Sequence, residues 1–540
     1  MLVAGSVDLS IDSPASATAL EINLEQSPMR GIDGLMAEAI EQGRGDHPAV
    51  VLDDGSALTY RELEARVAAG ANELAALGLA RGERVALIGE NSADMVVALF
   101  AAMRTGAWAV PLNPRMSAAE IDGICAHCEP RLAYLATGSS AEAEAHAQRL
   151  GAAGALHSLP QGRLLRSELP GAQAEPAAAD DVDPVALMIY TSGSTGTPKG
   201  VMLTHANLRF VTGRSLHQEV LLPDDVLFHA LPISHSFGLI TALMGALRAG
   251  ATIRLVERFS AQVLGAAIAS GGVNVVMGVP AMYARLHDWV QQQGRPLTPN
   301  RLRLAFIGGS LVDATRKAQT EALLGIRLHH GYGLSESSPI AARTIGHPPP
   351  AEVTAGWPVP GIEVEVQDPH GRSLPAGQPG EVCIRGRNVM KGYFRDPAQT
   401  AVAIDARGWL HTGDIGCFGP AGDLSIVGRI KEMIIRGGFN VYPAEVERAI
   451  AAFADVAQCA VVGCATDGDE EIVAYIEPAA GRQIDTQALG SFLRERLTPY
   501  KVPSRLIVME HLPASTTGKL LKAQLKNMAA ATAAADRERP

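Results

Sequence analysis

The segment that most constrains the fold is TSGSTGTPKG, Thr191 to Gly200, which directly follows the apolar run Val185 to Ile189. It contains three glycines, five hydroxyl side chains and one lysine. A buried strand followed by glycines predicts a loop whose backbone N–H groups point at a ligand. With added hydroxyl donors and the charge of Lys199, such a loop suits a triphosphate, whose negative charge must be neutralised.

The order of residues in this loop separates it from the commonest phosphate-binding motif. Lys199 follows Thr-Pro rather than glycine, so the pattern G-x-x-x-x-G-K-[ST] does not match and the P-loop NTPase fold is disfavoured. Composition alone is equally compatible with a flexible Gly/Ser loop. Other segments must therefore decide between these two interpretations.

The rest of the chain alternates between strand and helix patterns, which favours mixed α/β layers. Thr59 is placed to cap an amphipathic helix whose apolar residues recur at helical spacing, and residues 84–88 read as a buried strand. Residues 138–182 are rich in Ala, Gly and Pro and are expected to form a variable connection. The tail 528–540 has no apolar face and is expected to be disordered.

Length and charge limit the class of protein. A chain of 540 residues is expected to hold at least two domains. Its net charge of −11 argues against binding nucleic acid or an anionic membrane surface. No apolar run reaches membrane-spanning length, and the first residues do not resemble a secretion signal. A cytoplasmic location is predicted, and a homodimer is left open.

The cysteines give no strong sign of a metal site. Cys125 and Cys128 are spaced as C-x-x-C around His127, but the chain has no matching second pair of ligands. We favour the interpretation that the two cysteines are free thiols on a helix in a reducing compartment. We therefore assign no metal to protein ligands alone.

Five further segments carry candidate chemistry, and they follow one another in a set order. They are Leu231 to Gly238, Phe306 to Ser310, His330 to Glu336, Trp409 to Asp414, and Leu512 to Lys519. Tyr332, between glycines, offers a ring for stacking on a base, and Glu336 suits a hard cation that holds phosphates. Asp414 follows a tight turn and suits the two hydroxyls of a ribose, with Arg429 fifteen residues later. Each segment alone has an ordinary structural explanation. The occurrence of all five in this order in one chain has no such explanation.

Together these segments resemble the AMP-forming acyl-CoA synthetases, within the adenylating superfamily that also includes peptide-synthetase adenylation domains and luciferases. The matching motifs are GYGLSE (331–336), TGD (412–414), GRIKEMIIRGGFNVYPAEVE (428–447) and PASTTGK (513–519), within a resemblance that covers residues 34–522. The resemblance implies an α/β fold with a large N-terminal domain of two β-sheets, flanking helices and a distorted β-barrel. A small mobile C-terminal α/β domain is expected to follow. The expected boundaries are 1–428 for the large domain, 429–433 for a hinge, 434–527 for the small domain and 528–540 for the tail.

The resemblance also implies roles for individual residues. The ATP phosphates would be held by Thr191, Ser192, Gly193, Ser194, Thr195 and Lys199. Adenine and ribose would be bound by Gly309, Ser310, Gly331, Tyr332, Gly333, Ser335, Asp414 and Arg429. The acyl pocket would be lined by His235, Phe237, Gly238, Gly331 and Gly333, with the glycines as open floors. Glu336 would help to hold Mg²⁺ and would act in catalysis with Lys199 and Lys519. Lys431 would be the hinge, and Gly437 and Gly438 would leave a tunnel for CoA.

The expected activity is that of an acyl-CoA synthetase of fatty-acid or aryl-acid metabolism. ATP and a carboxylic acid would give an acyl adenylate and pyrophosphate, and CoA would then take the acyl group and release AMP. The substrate is expected to be a medium- or long-chain fatty acid or an aryl acid; the alternative acceptor is a carrier-protein thiol. The stretch 234–236 has no carboxylate for an amino-acid ammonium, which disfavours peptide-synthetase chemistry. Only eight residues separate Thr400 from Trp409, so the insertion of ligases that stop at the adenylate is absent.

Overall fold

The computed structural model describes residues 31–166, 183–191, 198–214, 220–309, 314–348, 350, 353–436, 439–465, 470–479, 481–514 and 520–537. Several predicted site residues lie outside these ranges: Ser192, Gly193, Ser194, Thr195, Ser310, Gly437, Gly438 and Lys519.

Within the described residues the strands are numbered in chain order. They are β1 (Pro48–Val51), β2 (Ala57–Thr59), β3 (Arg84–Ile88), β4 (Trp108–Leu112), β5 (Leu132–Leu135), β6 (Gly154–Leu156), β7 (Leu159–Arg166), β8 (Val185–Thr191), β9 (Lys199–Thr204), β10 (Val226–His229), β11 (Thr252–Leu255), β12 (Val275–Gly278), β13 (Leu304–Ile307), β14 (Leu328–Tyr332), β15 (Ala342–Arg343), β16 (Trp357–Pro358), β17 (Ile362–Gln367), β18 (Gly380–Gly386), β19 (Gly392–Tyr393), β20 (Leu410–Phe418), β21 (Leu424–Arg429), β22 (Ile434–Arg436), β23 (Phe439–Val441), β24 (Val456–Ala465), β25 (Glu470–Pro478) and β26 (Arg505–Val508).

The α-helices are numbered in the same way. They are α1 (Leu35–Ala39), α2 (Tyr60–Ala76), α3 (Ala93–Arg104), α4 (Ala118–Cys128), α5 (Ala141–Leu150), α6 (His205–Arg214), α7 (Gly245–Ala249), α8 (Ala261–Ala269), α9 (Pro280–Gln293), α10 (Ala314–Leu324), α11 (Pro397–Ala403), α12 (Pro443–Ala451), α13 (Thr486–Arg494) and α14 (Lys522–Arg537). A π-helical segment, Phe237–Met244, runs directly into α7. Among the described residues, no helix combines the length and the apolar character needed to cross a membrane.

Two large sheets form the N-terminal part of the molecule, as predicted. One has nine strands in the order β16-β15-β14-β13-β12-β10-β11-β1-β2, and the other has eight in the order β19-β9-β8-β4-β3-β5-β7-β6. The consecutive pairs β10–β12, β12–β13 and β13–β14 are parallel, and β14 pairs antiparallel with β15. Since parallel strands end at the same edge, the segments that follow them are brought together, and this edge is where ligands bind in open α/β sheets.

Local sequence signals account for the elements that border this edge. Helix α2 begins with a capping box in which Thr59 and Glu62 bond each other's backbone N–H groups. The predicted apolar face of that helix is buried, and every residue of β3 is buried as well. A strand covered on both faces needs a continuous apolar run, and residues 85–88 supply it.

The strands in the region of the predicted barrel form a four-stranded antiparallel sheet, in the order β17-β18-β20-β21. The small C-terminal domain follows, with the hairpin β22–β23 and the sheet β24-β25-β26 packed by α12, α13 and α14. It has a hydrophobic core of its own, which includes Ile434, Val446 and Leu489. The chain passes between the two parts through a short 3₁₀ helix, Ile430–Glu432. That this segment is the hinge stays a prediction.

Two expectations about irregular segments are wrong. The described part of the region 138–182 is not a loose connection, because it contains α5, β6 and β7, with Ala143 and Leu159 fully buried. The tail is not irregular from residue 528, because α14 runs to Arg537 and buries Leu525 and Ala529 completely. Alanine is the strongest helix former, and one small buried face is enough to seat such a helix.

A buried histidine at the end of β10 predicts a pH dependence of stability. His229 is 1% exposed, and among the described residues neither of its ring nitrogens has a hydrogen-bond partner. Burial lowers the pKa of His229 from 6.5 to about 3. The unfolded chain therefore binds a proton at this imidazole below pH 6.5, whereas the folded chain binds it only below about pH 3. We expect the free energy of unfolding to fall by a few kcal/mol as the pH drops through that window.

This effect is measured by urea unfolding of wild type and His229→Leu at pH 7.5 and pH 5. The variant should lose much less stability between the two conditions than wild type does. His157→Leu, at an exposed histidine, is the matched control and should keep the wild-type difference. An equal pH dependence in wild type and His229→Leu would contradict the prediction.

Candidate active site

The phosphate loop is anchored by two paired strands. Thr191 ends β8 and Lys199 begins β9, and the two residues lie opposite each other in antiparallel register. Both ends of the predicted phosphate-binding loop are thereby held together by the pairing of β8 with β9 in the eight-stranded sheet. The residues between them, 192–197, lie outside the described ranges.

Lys199 lies in a polar cluster with Glu336, which the sequence places 137 residues away. Tyr393 joins them: its hydroxyl donates to Oε1 of Glu336 at 2.9 Å, and its ring lies 4.7 Å from the Lys199 ammonium. The ammonium also donates to Oε1 of Gln399 at 2.8 Å. Beside Lys199 is a cavity of about 230 Å³ lined by polar side chains together with Pro198 and Phe394. The predicted phosphate and magnesium residues are thus brought together.

The residues predicted to bind ribose also converge. Asp414 on β20 lies opposite Arg429 on β21, whose Nε donates to Oδ1 at 2.7 Å. The hydroxyl of Tyr332, at the end of β14, donates to Oδ2 at 2.7 Å. The Asp414 side chain is 5% exposed. Burial by itself would lower the pKa of Arg429, but the charge of the Asp414 carboxylate acts in the opposite direction and the pKa is raised.

The turn that carries Asp414 is held by neighbours that sequence reasoning missed. Gly413 has φ +70°, and its N–H donates to Oε1 of Glu381 at 3.0 Å. The other oxygen of Glu381 lies 2.9 Å from Nδ1 of His411. Cys383 completes a group of three potential metal ligands. Glu381 already forms hydrogen bonds to the Gly413 N–H and to the His411 imidazole. These structural contacts are enough to explain why the three side chains lie together, without a metal ion.

A direct test of the nucleotide cluster is Asp414→Asn. Removing the buried charge leaves Arg429 without its ion pair and weakens both hydrogen bonds to position 414. A hydrogen bond to a charged group contributes enough that we expect the KM for ATP to rise about tenfold or more. ATP-dependent pyrophosphate exchange measures this. Glu363→Gln is the control, because Glu363 forms an exposed pair with Arg385 in the same sheet, and it should leave the KM unchanged. An unaltered KM in Asp414→Asn would contradict the assignment.

The predicted acyl-pocket loop, residues 231–238, is braced from the opposite sheet. The Asn91 amide donates to the carbonyls of Leu231 and Val256, and its oxygen accepts from the N–H of Ile233. His235 is exposed at the tip of this loop, and the hydroxyls of Ser236 and Ser335 are 3.0 Å apart. Asn91, like Tyr393, was missed because its partners are distant in sequence.

The glycines of this region do not form open floors. A Cβ at Gly238 would strike the carbonyl of Pro232, and one at Gly333 would strike that of Pro339. A Cβ at Gly331 would lie 2.5 Å from the ring of Phe306. The absence of a side chain at these positions permits close packing of protein atoms, so the expectation of ligand space directly above them is wrong. Gly309, with φ +78°, sits where the chain turns sharply after β13.

A small cavity adjoins this packing. Its volume is about 20 Å³, which is room for one water-sized group. Its lining includes Thr241, Met277, Phe306, Ile340 and Arg343. The Phe306 ring also contacts Phe237, with centroids 6.0 Å apart.

Two polar groups reach this otherwise apolar cavity. The hydroxyl of Thr241 is buried and has no hydrogen-bond partner among the described residues. Arg343 is 5% exposed, and burial together with the neighbouring Arg214 lowers the pKa of Arg343 to about 10.

The fold and this site define a class of ATP-dependent adenylating enzyme, and the comparisons with known proteins agree. Residues 37–394 match the AMP-binding enzyme family and residues 445–519 match its C-terminal domain, so the chain belongs to this family. It is an AMP-forming acid–thiol ligase. Among its relatives, the feruloyl-CoA synthase of Amycolatopsis sp is 36% identical over 89% of this chain and 96% of the relative. The indoleacetate–CoA ligase of Aromatoleum aromaticum is 32% identical over 88% and 93%.

Solved structures show the same fold over nearly the whole chain. ATP-bound MatB from Rhodopseudomonas palustris has a TM-score of 0.80 and 30% identity, covering 92% of this chain and 99% of that one. A benzoate CoA ligase from Burkholderia xenovorans has a TM-score of 0.78 at 24% identity, covering 92% and 100%, and supports the fold alone.

Proposed function

We propose that this acyl-CoA ligase activates aromatic carboxylic acids of the benzoic or arylpropenoic type. The observation that carries the proposal is the small cavity lined by Phe306, Thr241 and Arg343. A cavity of about 20 Å³ has no room for a long alkyl chain, and its Arg343 and Thr241 suit a small polar substituent better than a methylene group. A flat ring with an oxygen substituent would pack against Phe237 and Phe306 and direct its oxygen to Thr241 and Arg343.

The relatives favour the same class. The names feruloyl-CoA synthase, indoleacetate–CoA ligase and 4-coumarate–CoA ligase all denote aryl acids and CoA. A fatty-acid substrate has no comparable support among them, and a carrier-protein acceptor is not favoured. A cytoplasmic location and a homodimer remain predictions.

The donor set at Glu336 fits Mg²⁺. Tyr393 occupies one carboxylate oxygen, and Oε2 accepts no hydrogen bond from the described residues. Mg²⁺ is commonly bound by one or two carboxylates together with substrate phosphates. When bound, the ion would neutralise phosphate charge as a Lewis acid.

The first half-reaction is attack of the carboxylate on the α-phosphorus of ATP. Both reactants are anions, so Lys199 and Lys519 would offset their repulsion and the charge that develops on the phosphorus. Pyrophosphate leaves, and the aryl adenylate stays bound near Tyr332 and Asp414. Fixed loops contribute by positioning, without a covalent protein nucleophile.

The second half-reaction is attack of the CoA thiol on the mixed anhydride, which releases AMP. No protein base is obligatory, since AMP is a good leaving group and thiols ionise readily. One small domain would serve both steps, so we propose that it rotates about Lys431.

The test is a CoA-dependent AMP-release screen with ferulate, 4-coumarate, benzoate, octanoate and palmitate. We expect the largest kcat/KM with one of the three aryl acids. Pyrophosphate release with acid alone, measured beside AMP release with CoA, separates the two half-reactions. A preference for octanoate or palmitate would overturn the proposed substrate class.

A further inference from the structure

Tyr393 lies between the two charged groups that are predicted to handle the ATP phosphates. It is on β19, which pairs with β9 so that Tyr393 lies opposite Val201, two residues after Lys199. Its own N–H donates to the Thr400 hydroxyl at 2.9 Å, which fixes the backbone at this point. The position of the ring is therefore set by the sheet and not by a mobile loop.

The two ends of the Tyr393 side chain contact different partners. The hydroxyl donates to Oε1 of Glu336, and the face of the ring lies under the Lys199 ammonium. A phenol hydroxyl is a donor at neutral pH, and a carboxylate oxygen can only accept, so the direction of this hydrogen bond is fixed. A hydrogen bond to one carboxylate oxygen restricts rotation of the group and leaves the other oxygen to face a ligand.

Gln399 completes the arrangement on the lysine side. Its oxygen accepts from Lys199, and its backbone N–H is capped by Asp396 at the start of α11. Lys199 is thus held between an aromatic face and an amide oxygen. Neither partner carries a charge, so neither neutralises the ammonium, which stays available to phosphate.

We propose that Tyr393 is a positioning residue for the metal–nucleotide site: its hydroxyl orients Glu336 toward the divalent cation, and its ring places Lys199. The proposal rests on the proposed function, because it takes Glu336 as the carboxylate that meets the cation. Tyr393 need not touch the reacting atoms. Its effect should therefore appear in cation affinity and in the adenylation step, and not in transfer of the acyl group to CoA.

The first experiment measures cation binding without turnover. Mn²⁺ is titrated into Tyr393→Phe and wild type in the presence of α,β-methylene-ATP, and free Mn²⁺ is followed by electron paramagnetic resonance. Loss of a hydrogen bond to a charged group should raise the Kd for Mn²⁺ about tenfold. In pyrophosphate exchange, the Mg²⁺ concentration for half-maximal rate should rise by a similar factor, and excess Mg²⁺ should restore most of the rate. Thioester formation from supplied aryl adenylate should be unchanged.

Tyr134→Phe is the matched control. Tyr134 is also a buried tyrosine whose hydroxyl donates to a carboxylate, Asp94, but it lies on β5, away from Lys199 and Glu336. It should lower thermal stability without changing Mn²⁺ affinity. Tyr393→Leu tests the lysine side, because it also removes the ring that Tyr393→Phe keeps under Lys199: the KM for ATP should rise further than in Tyr393→Phe. If Tyr393→Phe does not fold, Tyr393→Leu takes its place in the Mn²⁺ titration.

The outcomes separate this proposal from the proposed function. A wild-type enzyme that activates no aryl acid would contradict the function, whatever the variants do. An active wild type with equal Mn²⁺ affinity in Tyr393→Phe would overturn the role of Tyr393 alone. A KM for ATP that is no higher in Tyr393→Leu than in Tyr393→Phe would overturn the lysine side of the proposal.

Discussion

Replacing Lys519 by alanine is expected to lower the rate of adenylation at least about a hundredfold, the size of effect seen when one transition-state charge contact is removed. The lysine follows Gly518 in the motif PASTTGK, and the resemblance of that motif to the acyl-CoA synthetases predicts a catalytic role for it. Its charge would matter while the phosphorus is five-coordinate and carries extra negative charge. Thioester formation from a supplied acyl adenylate involves no such phosphorus and should be largely retained.

The described residues on either side of the segment 515–519, which contains Lys519, lie close together. Ala514 and Leu520 form an antiparallel bridge, so the chain enters and leaves this segment at one place on the small domain. Lys522, two residues after Leu520, pairs with Glu432 and Glu447 at 2.7 and 2.8 Å. Lys526→Ala, at an exposed lysine of α14, is the control and should keep both half-reactions. An equal loss of both half-reactions in Lys519→Ala would mean that Lys519 is structural.

Gly438→Trp is expected to abolish CoA-dependent product formation while pyrophosphate exchange persists. Gly437 and Gly438 stand in the sequence between β22 and β23, whose residues Arg436 and Phe439 pair with each other. A glycine pair admits a ligand close to the backbone, and a tryptophan at Gly438 is predicted to fill the space that pantetheine needs. An ordinary turn is the competing explanation, and it predicts little effect on either step.

Controls separate blockage from unfolding. Val508→Trp adds the same side chain at an exposed position of β26 in the small domain and should leave the CoA step intact. Thermal melting of each variant shows whether the small domain is folded. Lys431→Pro should give the same split as Gly438→Trp if the 3₁₀ segment is the hinge, since proline fixes one backbone angle. A folded Gly438→Trp that makes acyl-CoA at the wild-type rate would rule out the tunnel.

Much of the fold followed from local patterns. Thr59 and Glu62 predict the start of α2, and the apolar run 85–88 predicts a strand buried on both faces. Both patterns can be recognised from the sequence because each involves only a few consecutive residues. The wrong expectation about the C-terminal tail also came from a local pattern. The Ala-rich tail was judged by its lack of an apolar stripe, but the helix is seated by two residues, Leu525 and Ala529, against β24 and its neighbours.

The sequence by itself determined the family and most of the expected nucleotide site. The order of the motifs around Thr191, Glu336 and Asp414 is enough to predict the nucleotide site. Each motif combines residues typical of a turn with a side chain suited to one part of ATP. Only the tertiary structure decided which residues support them. Tyr393 reaches Glu336 because β19 pairs with β9, and Gly331 leaves room for Phe306 because β13 and β14 are neighbours. Such contacts depend on strand order and side-chain packing across the sheets, which residues close together in the chain do not specify.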